Sequence, residues 1–404
     1  MIEKKEIIKN LLEKGVSNVI DKKNLEEKLN SEKILRIKFG IDPTGTQVHI
    51  GHAVPILKLR EFQKLGHQIV IIIGDATAQV GDTSDKTAER PMLTRKETLE
   101  NASDYLKQFG KILDIEKVEV RFNSEWMDKT SFNLVGELAK NFSVAEMLDR
   151  DNFSKRYKDG VRISLQEFLY PIMQGYDSVM INADVELGGN DQYFNLLAGR
   201  KLQEAHGQEK QNIMTFNLIE GTDGRKMSKT YKNFVGLDFK ANDMFVKIME
   251  IGDELIIKYF QHCTSLYFSE IQKYQDRLDE GENPRNIKLE LAFEIVKLYH
   301  GETIAIEAKE YFQKVIKEGI VPDEKDIEKM DIDTTGFENQ QIPLASILSK
   351  AGLVNNTTEA RNALNGNSVK VNNEIQNDPK FMITLDKKNY ILLQVGKKKF
   401  RMVK

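Results

Sequence analysis

Short apolar runs alternate with amphipathic stretches over the first 220 residues. The apolar runs predict strands at residues 35–39, 68–73, 118–122, 178–181 and 212–218. Between them, apolar residues at helical spacing predict helices at residues 54–65, 95–113 and 191–204. Strands that alternate with helices predict an α/β fold with a doubly wound, Rossmann-like and mostly parallel sheet. Ligands of such sheets bind beyond the C-terminal ends of the strands.

The hydrophobic pattern changes after residue 235. Residues 236–318 keep three- and four-residue apolar spacing and predict an α-helical domain, whereas residues 319–341 are polar and acidic and predict a linker. Residues 342–404 predict a small α+β module, with two helices followed by short strands. The expected organisation is therefore a Rossmann-like domain over residues 1–235, a helical domain, a linker and a terminal module.

Composition narrows the class of protein. With 404 residues, 40% hydrophobic and 30% charged, the chain is typical of globular proteins. Its longest strongly apolar run, residues 69–73, is far shorter than the roughly 20 residues of a membrane helix. The single cysteine, Cys263, excludes an internal disulfide framework and a multi-cysteine zinc site. We expect a cytoplasmic protein with no membrane segment and no dedicated metal site.

The charge is distributed unevenly. Residues 342–404 carry 11 lysines and arginines against 4 acidic residues, a formal charge of +7, whereas the preceding residues sum to −10. A basic module on an acidic body predicts a nucleic-acid-binding function for the module. A solvated lysine-rich tail is the alternative interpretation.

A pair of histidines follows the first long apolar strand. The chain turns through residues 42–45 and enters a helix whose first turn holds His49, Gly51 and His52. Residues at i and i+3 project in nearly the same direction, and a helix N-terminus favours negative charge. The motif predicts a site for a nucleotide, in which the imidazoles stabilise phosphate oxygens and Gly51 admits the nucleotide to the backbone. The alternative is that both histidines are ordinary cap residues.

A second motif, Lys226-Met227-Ser228-Lys229-Thr230, lies in a loop rich in glycine and charge. Its lysines are suited to contact a polyphosphate, and the flexible loop is suited to close over it. Taken alone, such a loop is usually solvated surface. Paired with the histidines, it predicts phosphoryl chemistry that depends on positioning and charge stabilisation. An ionised carboxylate that attacks an α-phosphate needs no general base, so adenylation of a carboxylate fits these residues.

Several motifs in fixed order resemble those of the class I aminoacyl-tRNA synthetases, and within them the bacterial tyrosyl-tRNA synthetase family. The resemblance spans essentially the whole chain, and its terminal part is similar to an S4 RNA-binding domain. The motifs are residues 39–44, 49–52, 170–177, 188–192 and 226–230. The resemblance implies a two-step ligase that converts tyrosine and Mg²⁺-bound ATP to tyrosyl-adenylate and pyrophosphate, and then transfers tyrosine to the 3′ end of tRNA(Tyr). It also implies a homodimer.

The resemblance assigns roles to individual residues. Asp177 is implied to accept the substrate hydroxyl, while Tyr170, Gln174 and Asp82 are implied to hold the α-ammonium group. Gln192 is implied to lie near the reacting carboxylate, and Lys38 stands at the position of a second partner of the substrate hydroxyl. The catalytic contacts to phosphates are implied to come from Thr44, His49, His52, Lys86, Arg90, Lys226 and Lys229. ATP is implied to contact Gly51, Gly189, Asp191, Met227, Ser228 and Lys229. In the basic module, the residues expected to bind tRNA are Lys350, Arg361, Lys370, Lys397, Lys398 and Arg401.

One part of these assignments has independent support, because positions 170, 174 and 177 share one helix face. For several other assigned residues, a purely structural role is an alternative to the functional one. Tyr170 is also typical of a core aromatic, Asp82 and Asp177 of caps or ion-paired carboxylates, and Lys86 and Arg90 of surface loops.

The chain departs from the family pattern at a few positions. Many relatives have a tyrosine at the position of Lys38, which leaves the second partner of the substrate hydroxyl open, although one branch resembles this version. Thr83 and Asp85 replace the usual proline and glycine of the phosphate-side loop, and Thr230 replaces a serine while keeping the hydroxyl.

Three rival functions remain. A tryptophanyl relative shares the catalytic core, but the terminal module and residues 170–177 argue against it. A nucleotidylyltransferase can share the histidine motif without needing an RNA module. A synthetase-derived RNA-binding protein without catalysis would not need the intact set of histidines and lysines.

Overall fold

The computed structural model describes residues 4–45, 48–82, 94–227, 231–317, 321, 327–334, 341–385, 389–396 and 399–404. The chain divides into two compact units, Met1–Ala305 and Ile306–Lys404. Each unit has its own sheet and its own buried core. Among the described residues, no helix combines the length and the apolar character needed to cross a membrane.

The first unit is built on a sheet of six described strands in the order β1-β6-β5-β2-β3-β4. Only the edge strand β1 is antiparallel to its neighbour, and the other pairings are parallel. From β2 the chain winds outward to β3 and β4, then returns to the other side of β2 for β5 and β6. The predicted doubly wound sheet is confirmed. The strands are β1 (Asn18–Ile20), β2 (Arg36–Ile41), β3 (Gln68–Ile73), β4 (Glu119–Phe122), β5 (Val185–Gly189) and β6 (Asn212–Phe216).

Helices cover this sheet, which explains why its central strands are apolar. Every residue of β3 after its first is buried, as expected for a parallel strand with both faces covered. The helices are α1 (Lys4–Glu13), α2 (Lys22–Asn30), α3 (Ile50–Lys64), α4 (Arg95–Phe109), α5 (Ser124–Met127), α6 (Phe132–Ala139), α7 (Val144–Leu148), α8 (Asp151–Lys158), α9 (Leu165–Met180), α10 (Tyr193–Ala205), α11 (Ala241–Met249), α12 (Ile256–Cys263), α13 (Phe268–Asp279) and α14 (Pro284–His300). Helix α3 packs against β3 and β5, and α9 packs along α10.

One predicted strand is wrong. Residues 178–181 were expected to be extended, but residues 178–180 form the end of α9, Ile181 is its C-cap, and the strand follows at β5. The β-branched residues Val179 and Ile181 favoured a strand. Tertiary packing overrides that preference: a capping box at Ser164 and Glu167 starts α9, and Val179 lies in the apolar contact that α9 shares with α10.

The second unit begins within α15 (Glu302–Tyr311), which is followed by a π-helical turn at Phe312–Lys317. Its main sheet has the strand order β10-β9-β12-β13-β7, and β8 pairs with β11. Helices α16 and α17 pack together over a core that includes Leu348, Leu364 and Leu393. The elements are β7 (Lys329–Met330), β8 (Gln341–Pro343), α16 (Leu344–Lys350), α17 (Thr357–Asn365), β9 (Val369–Val371), β10 (Glu374–Ile375), β11 (Met382–Thr384), β12 (Ile391–Val395) and β13 (Lys399–Val403).

The segment expected to be a linker, residues 319–341, contains part of this second fold. Strand β7 lies inside it and pairs in parallel with β13, and β8 starts at its last residue. Pairings of two or three residues leave no hydrophobic pattern in the sequence, because their stability comes from distant strands.

Candidate active site

A cavity of about 340 Å³ lies at the C-terminal edge of the first sheet. It is lined by the ends of β2 and β5, the two strands between which the direction of winding reverses. Parallel sheets bind ligands at this switch point, and the volume is in the range of small-molecule sites. Helix α9 contributes Tyr170, Gln174 and Asp177, which we call the α9 side of the cavity. The α3 side comprises His49, Gly51 and His52, together with Lys226 and Met227.

The carboxylate of Asp177 is buried on the α9 side, where it is only 3% exposed. The indole Nε1–H of Trp126 donates to its Oδ1 at 2.8 Å, and the amide of Asn123 donates to its Oδ2 at 3.4 Å. Burial raises the pKa of Asp177 to about 7, although Lys38 and these two donors oppose the shift. Asp177 is therefore a buried acceptor whose protonation changes near neutral pH.

Sequence reasoning missed Asn123 and Trp126. Asn123 also accepts from the backbone N–H of Ala76 at 2.9 Å and donates to Thr77 Oγ1 at 3.1 Å, so it fixes the loop after β3. Its position was a usable signal, because it directly follows a predicted parallel strand, where ligand-binding residues gather. Trp126, the only tryptophan, carries no motif that indicates its contact with Asp177.

Tyr170 is held by a carboxylate at the end of β2. Its hydroxyl donates to Asp42 Oδ2 at 2.9 Å, while Thr77 donates to Asp42 Oδ1 at 2.8 Å. Burial and the adjacent Asp42 raise the pKa of Tyr170 well above its ordinary value. Gly74 makes this arrangement possible, because a Cβ there would lie 1.9 Å from Asp42 Oδ1. The phenol stays protonated and directs its proton to Asp42.

Lys38 occupies a different place from the one expected of a substrate contact. Its side chain is fully buried and is not among the residues that line the cavity. Its Nζ donates to Gln174 O and Ser178 Oγ, each at 2.7 Å, and lies 2.9 Å from Glu186 Oε1. The sequence prediction of a direct contact between Lys38 and tyrosine therefore has no geometric support, and the ammonium belongs to a layer behind the cavity.

Gln192 and Asp82 meet at the mouth of the α9 side. Gln192 Nε2 donates to Asp82 Oδ2 at 2.7 Å, and Asn195 Nδ2 donates to Gln192 Oε1 at 2.9 Å. Gly189 leaves room for the neighbouring acid, because a Cβ there would lie 2.2 Å from Asp191 Oδ1. Four residues that the sequence predicts for the site, Asp82, Gly189, Asp191 and Gln192, line the same cavity.

His49 and His52 stand at the N-terminus of α3, as their spacing predicts. His49 is the N-cap, and its Nδ1 accepts from the backbone N–H of His52 at 3.3 Å. Since Nδ1 accepts, the proton of neutral His49 is assigned to Nε2. The two rings stack with centroids 3.6 Å apart. A Cβ on Gly51 would lie 3.1 Å from the His49 ring, so glycine keeps this stack and the cavity open.

The residues that precede the second motif form a tight hairpin, which ends at the first residue of the motif, Lys226. Glu220 and Lys226 pair as an antiparallel bridge, and Gly224 has φ +78°. Asn233 Nδ2 donates to Asp223 Oδ1 at 2.6 Å and to Lys226 O at 3.2 Å. Hydrogen bonds to the Asp223 carboxylate, the strongest from Asn233 and the next from Arg225, lower the pKa of Asp223 to about 2. The hairpin brings Met227 beside Gly51, where a Cβ would lie 3.7 Å from its sulfur.

The cavity therefore assembles most of the residues that sequence reasoning selected for it. Those that line it are Thr44, His49, Gly51, His52, Asp82, Tyr170, Gln174, Asp177, Gly189, Asp191, Gln192, Lys226 and Met227. The predicted residues Lys86, Arg90, Ser228 and Lys229 lie outside the described residues, as do Thr83, Asp85 and Thr230. Within the described part of the chain, no group of three or more His, Cys, Asp or Glu side chains is arranged to hold a metal ion.

The residues selected in the basic module differ in their availability. Arg361 is exposed on α17, and Lys370 is half-buried on β9. Lys350 donates to Asp333 O at 2.8 Å, and Arg401 donates to Ala351 O and forms an ion pair with Glu328. Lys397 and Lys398 are not among the described residues.

Comparison with known proteins agrees with this fold and cavity. Residues 30–317 match the family of class I tRNA synthetases (W and Y), and residues 324–403 match the C-terminal domain of SYY-like tyrosine–tRNA ligases. The fold and the site thus define a class I tRNA synthetase, a class that uses ATP as a substrate.

Individual relatives narrow the family. The chain is 44% identical over 392 residues to the tyrosine–tRNA ligase of Thermotoga maritima, covering 96% of this chain and 95% of the relative. It is also 44% identical to the Francisella tularensis enzyme of the same name, covering 96% of each. A C-terminally truncated mitochondrial tyrosyl-tRNA synthetase from Coccidioides posadasii superposes with a TM-score of 0.61 at 25% identity, covering 75% of this chain and 91% of that one. The chain belongs to the tyrosine–tRNA ligase family, which confirms the predicted family and enzyme class.

Proposed function

We propose that this chain joins tyrosine to tRNA(Tyr) in two steps, with tyrosine and ATP meeting in the described cavity. The observation that carries the proposal is the buried carboxylate of Asp177, held by Trp126 in the same cavity as the histidine pair of α3. One side offers a single, fixed acceptor suited to a phenol. The other offers the cationic and N–H groups suited to a triphosphate.

The phenol of tyrosine is proposed to donate to Asp177. Trp126 already occupies Oδ1, whereas the donor at Oδ2, Asn123, is the longer of the two contacts. Phenylalanine would leave this desolvated carboxylate without a partner in the substrate, and an unmet buried acceptor is costly. The pocket therefore selects tyrosine by the penalty on its analogue.

The α-ammonium group is proposed to lie between Tyr170, Gln174 and Asp82. Tyr170 donates its proton to Asp42, so its oxygen keeps lone pairs for an ammonium donor. Asp82 adds a carboxylate, held at its other side by Gln192. This arrangement directs the substrate carboxylate toward the α3 side, with Gln192 close to it.

Adenylation is proposed to proceed by direct attack of the tyrosine carboxylate on the α-phosphate of ATP. The new bond joins a carboxylate oxygen to phosphorus, and the bond to the bridging oxygen of pyrophosphate breaks. His49 and His52 would donate to phosphate oxygens as charge builds up, together with Thr44, Lys226 and Lys229. Lys86 and Arg90 are proposed to hold the departing pyrophosphate. No proton leaves the attacking group, so the step needs no general base.

ATP is proposed to enter with Mg²⁺ bound to its own phosphates, since Mg²⁺ in such sites is held largely by phosphate oxygens and water. Asp191 would contact the ribose, while Gly51 and Gly189 allow the nucleotide to approach the backbone. Met227 and Ser228 would lie along the nucleotide when the loop that starts at the Glu220–Lys226 hairpin closes over it.

In the second step, a ribose hydroxyl at the 3′ end of tRNA attacks the carbonyl carbon of the adenylate. An ester bond to the ribose oxygen forms, the bond from the carbonyl carbon to the phosphate oxygen breaks, and AMP leaves while the hydroxyl proton passes to AMP or water. The terminal module is proposed to bind the tRNA backbone through the residues selected above, of which Arg361 is exposed on α17. Arg361→Ala should raise the KM for tRNA about threefold and reduce its salt dependence, because a phosphate contact is lost. Pyrophosphate exchange, which requires no tRNA, should stay unchanged.

A homodimer is also proposed. Phe132 is 90% exposed at the start of α6, and Leu165 is 81% exposed at the start of α9, on two helices that pack together. Exposed apolar groups of this size on neighbouring elements are typical of protein interfaces. Phe132→Glu should shift the mass in solution toward a monomer, whereas Ile34→Glu, a control at an exposed apolar residue elsewhere, should not. We also propose a cytoplasmic location, because the proposed reaction requires ATP and tRNA, which are available there.

The experiment that tests the activity is ATP–pyrophosphate exchange with each of the twenty amino acids. We expect exchange with tyrosine and none above background with phenylalanine or tryptophan. Exchange stimulated by tryptophan would reassign the substrate, and exchange that needs no amino acid would indicate a nucleotidylyltransferase.

A further inference from the structure

A buried ion pair lies directly behind the α9 side of the cavity. Lys38 on β2 and Glu186 on β5 are register partners in the parallel sheet, with side chains 0% and 1% exposed. Their charged atoms are 2.9 Å apart. Ionised groups are rarely this buried unless every hydrogen-bonding position is used.

Both partners are saturated by hydrogen bonds. Lys38 Nζ contacts Gln174 O, Ser178 Oγ and Glu186 Oε1, which accounts for its three protons. Glu186 Oε2 accepts from Ser178 Oγ at 3.1 Å and from Gln211 Nε2 at 2.5 Å. The pair is thus a fixed, fully satisfied part of the sheet.

The remaining contact of Glu186 reaches into the substrate site. Gln174 Nε2 donates to Glu186 Oε1 at 3.2 Å. An ionised carboxylate only accepts hydrogen bonds, so it determines which end of the amide faces it. With its nitrogen turned toward Glu186, the side chain of Gln174, which lines the cavity, is left with its carbonyl oxygen for the substrate.

We propose that Glu186, with Lys38 as its counter-ion, is a positioning residue that fixes the amide of Gln174 so that its oxygen accepts from the α-ammonium group of tyrosine. This inference rests on the proposed function of the cavity. Neither residue touches the substrate. A glutamine, serine or threonine at position 186 could accept or donate a hydrogen bond, so it would allow both orientations of the Gln174 amide. A carboxylate at this position allows only one orientation.

The test compares substrate analogues in a variant without the pair. Lys38→Met with Glu186→Leu replaces the ion pair by apolar side chains of similar size, a change that folded proteins often tolerate. We measure binding of tyrosine, of tyramine, which keeps the ammonium group, and of 3-(4-hydroxyphenyl)propionate, which lacks it. Thermal unfolding and ATP binding serve as checks of folding.

We expect tyrosine and tyramine to bind about 10-fold more weakly to this variant, while 3-(4-hydroxyphenyl)propionate changes less than about twofold. A second variant, Lys38→Met with Glu186→Gln, keeps a hydrogen-bonding group at position 186 but allows both amide orientations of Gln174, so it should recover little of the affinity for the two amines. Full recovery would show that the carboxylate is not what fixes the amide.

Equal weakening of all three ligands, or unchanged binding of tyrosine, would overturn the proposal. These results are distinct from a failure of the proposed function itself, which would appear as an absence of tyrosine-dependent exchange in the unmodified protein.

Discussion

The two sides of the cavity are built in opposite ways. On the α9 side, Asp177 is 3% exposed and is held by Trp126 and Asn123, themselves buried. On the α3 side, His52 and Lys226 are exposed, and Lys226 lies on a hairpin rather than on the sheet. A dry, rigid site makes an unpaired group expensive, whereas exposed cations can meet phosphates as charge develops. We infer from this difference that the α9 side selects the amino acid and that the α3 side accelerates the reaction.

The largest effect is expected on the α3 side. Lys226→Ala should lower kcat for adenylation roughly 100-fold or more, because one stabiliser of transition-state charge is removed. The dissociation constant of ATP should change by less than about threefold if that charge acts mainly in the transition state. Single-turnover kinetics separate the two quantities.

Lys273→Ala, at an exposed lysine on α13, is the matched control and should retain normal kinetics. An equal loss of ATP binding and of kcat in Lys226→Ala would show that the lysine binds the ground state, and the proposed contrast between the two sides would fail.

The next largest effect concerns the α9 side. Asp177→Asn should reduce kcat/KM for tyrosine roughly 100-fold, because a hydrogen bond to a charged acceptor, which contributes about 3 kcal/mol, is replaced by one to a neutral acceptor. The loss should appear in KM, and the binding of phenylalanine should weaken much less. Exchange with tyrosine and equilibrium binding of both amino acids measure this, and a loss confined to kcat would assign Asp177 to the chemical step instead.

A smaller effect, about 10-fold, is expected from pH. Because burial raises the pKa of Asp177 to about 7 in the empty site, binding of a phenol donor must compete with its proton. Tyrosine measured without ATP should bind about 10-fold more weakly at pH 6 than at pH 8, and Asp177→Asn should remove this dependence. A pH-independent affinity of the unmodified protein would mean that Asp177 is already ionised at pH 6.

The same raised pKa determines the sign of its effect on stability. A carboxyl whose pKa is higher in the folded state stabilises the fold below its unfolded pKa, near 4, and this contribution is lost as the pH rises through about 7. The unmodified protein should therefore lose stability as the pH rises from 5 to 8, and Asp177→Asn should not. The free energy of unfolding of the variant, measured with urea, should rise relative to that of the unmodified protein over this range. A constant difference in stability across this range would contradict the assignment.

The smallest effect is expected at the base of the hairpin. Asn233 is 2% exposed, and its amide bridges Asp223 and the backbone of Lys226. Asn233→Ala should lower kcat a few-fold through a less well-positioned Lys226, and should lower the unfolding free energy by about 1 kcal/mol. The affinity for tyrosine should not change. A rise in KM for tyrosine would show that the α3 side also affects amino-acid binding on the α9 side, and would contradict their proposed separation.

Sequence reasoning predicted the α3 side better than the α9 side for a physical reason. The placement of His49 and His52 depends on local helix geometry, so the four residues 49–52 and the preceding strand are enough to predict it. The support of Asp177 comes from Trp126, 51 residues away along the chain, and no spacing rule encodes such a contact. Periodicity placed Tyr170, Gln174 and Asp177 on one face, because that property is also local.

The same distinction explains the errors. The end of α9 was predicted to be a strand, because the β preference of Val179 is visible in the sequence, whereas its packing on α10 is not. Lys38 was selected as a substrate contact through its place in the family pattern, whereas its partner Glu186 becomes a neighbour only when β2 pairs with β5. Such contacts depend on the order of strands in the sheet.

The most direct test of separate duties is a double-mutant cycle between Asp177→Asn and Lys226→Ala, read as kcat/KM for tyrosine in pyrophosphate exchange. If one residue selects the amino acid and the other stabilises the phosphates, the two free-energy losses should add to within about 0.5 kcal/mol. A coupling energy above about 1 kcal/mol would show that the two sides of the cavity act as one unit, and would contradict the account.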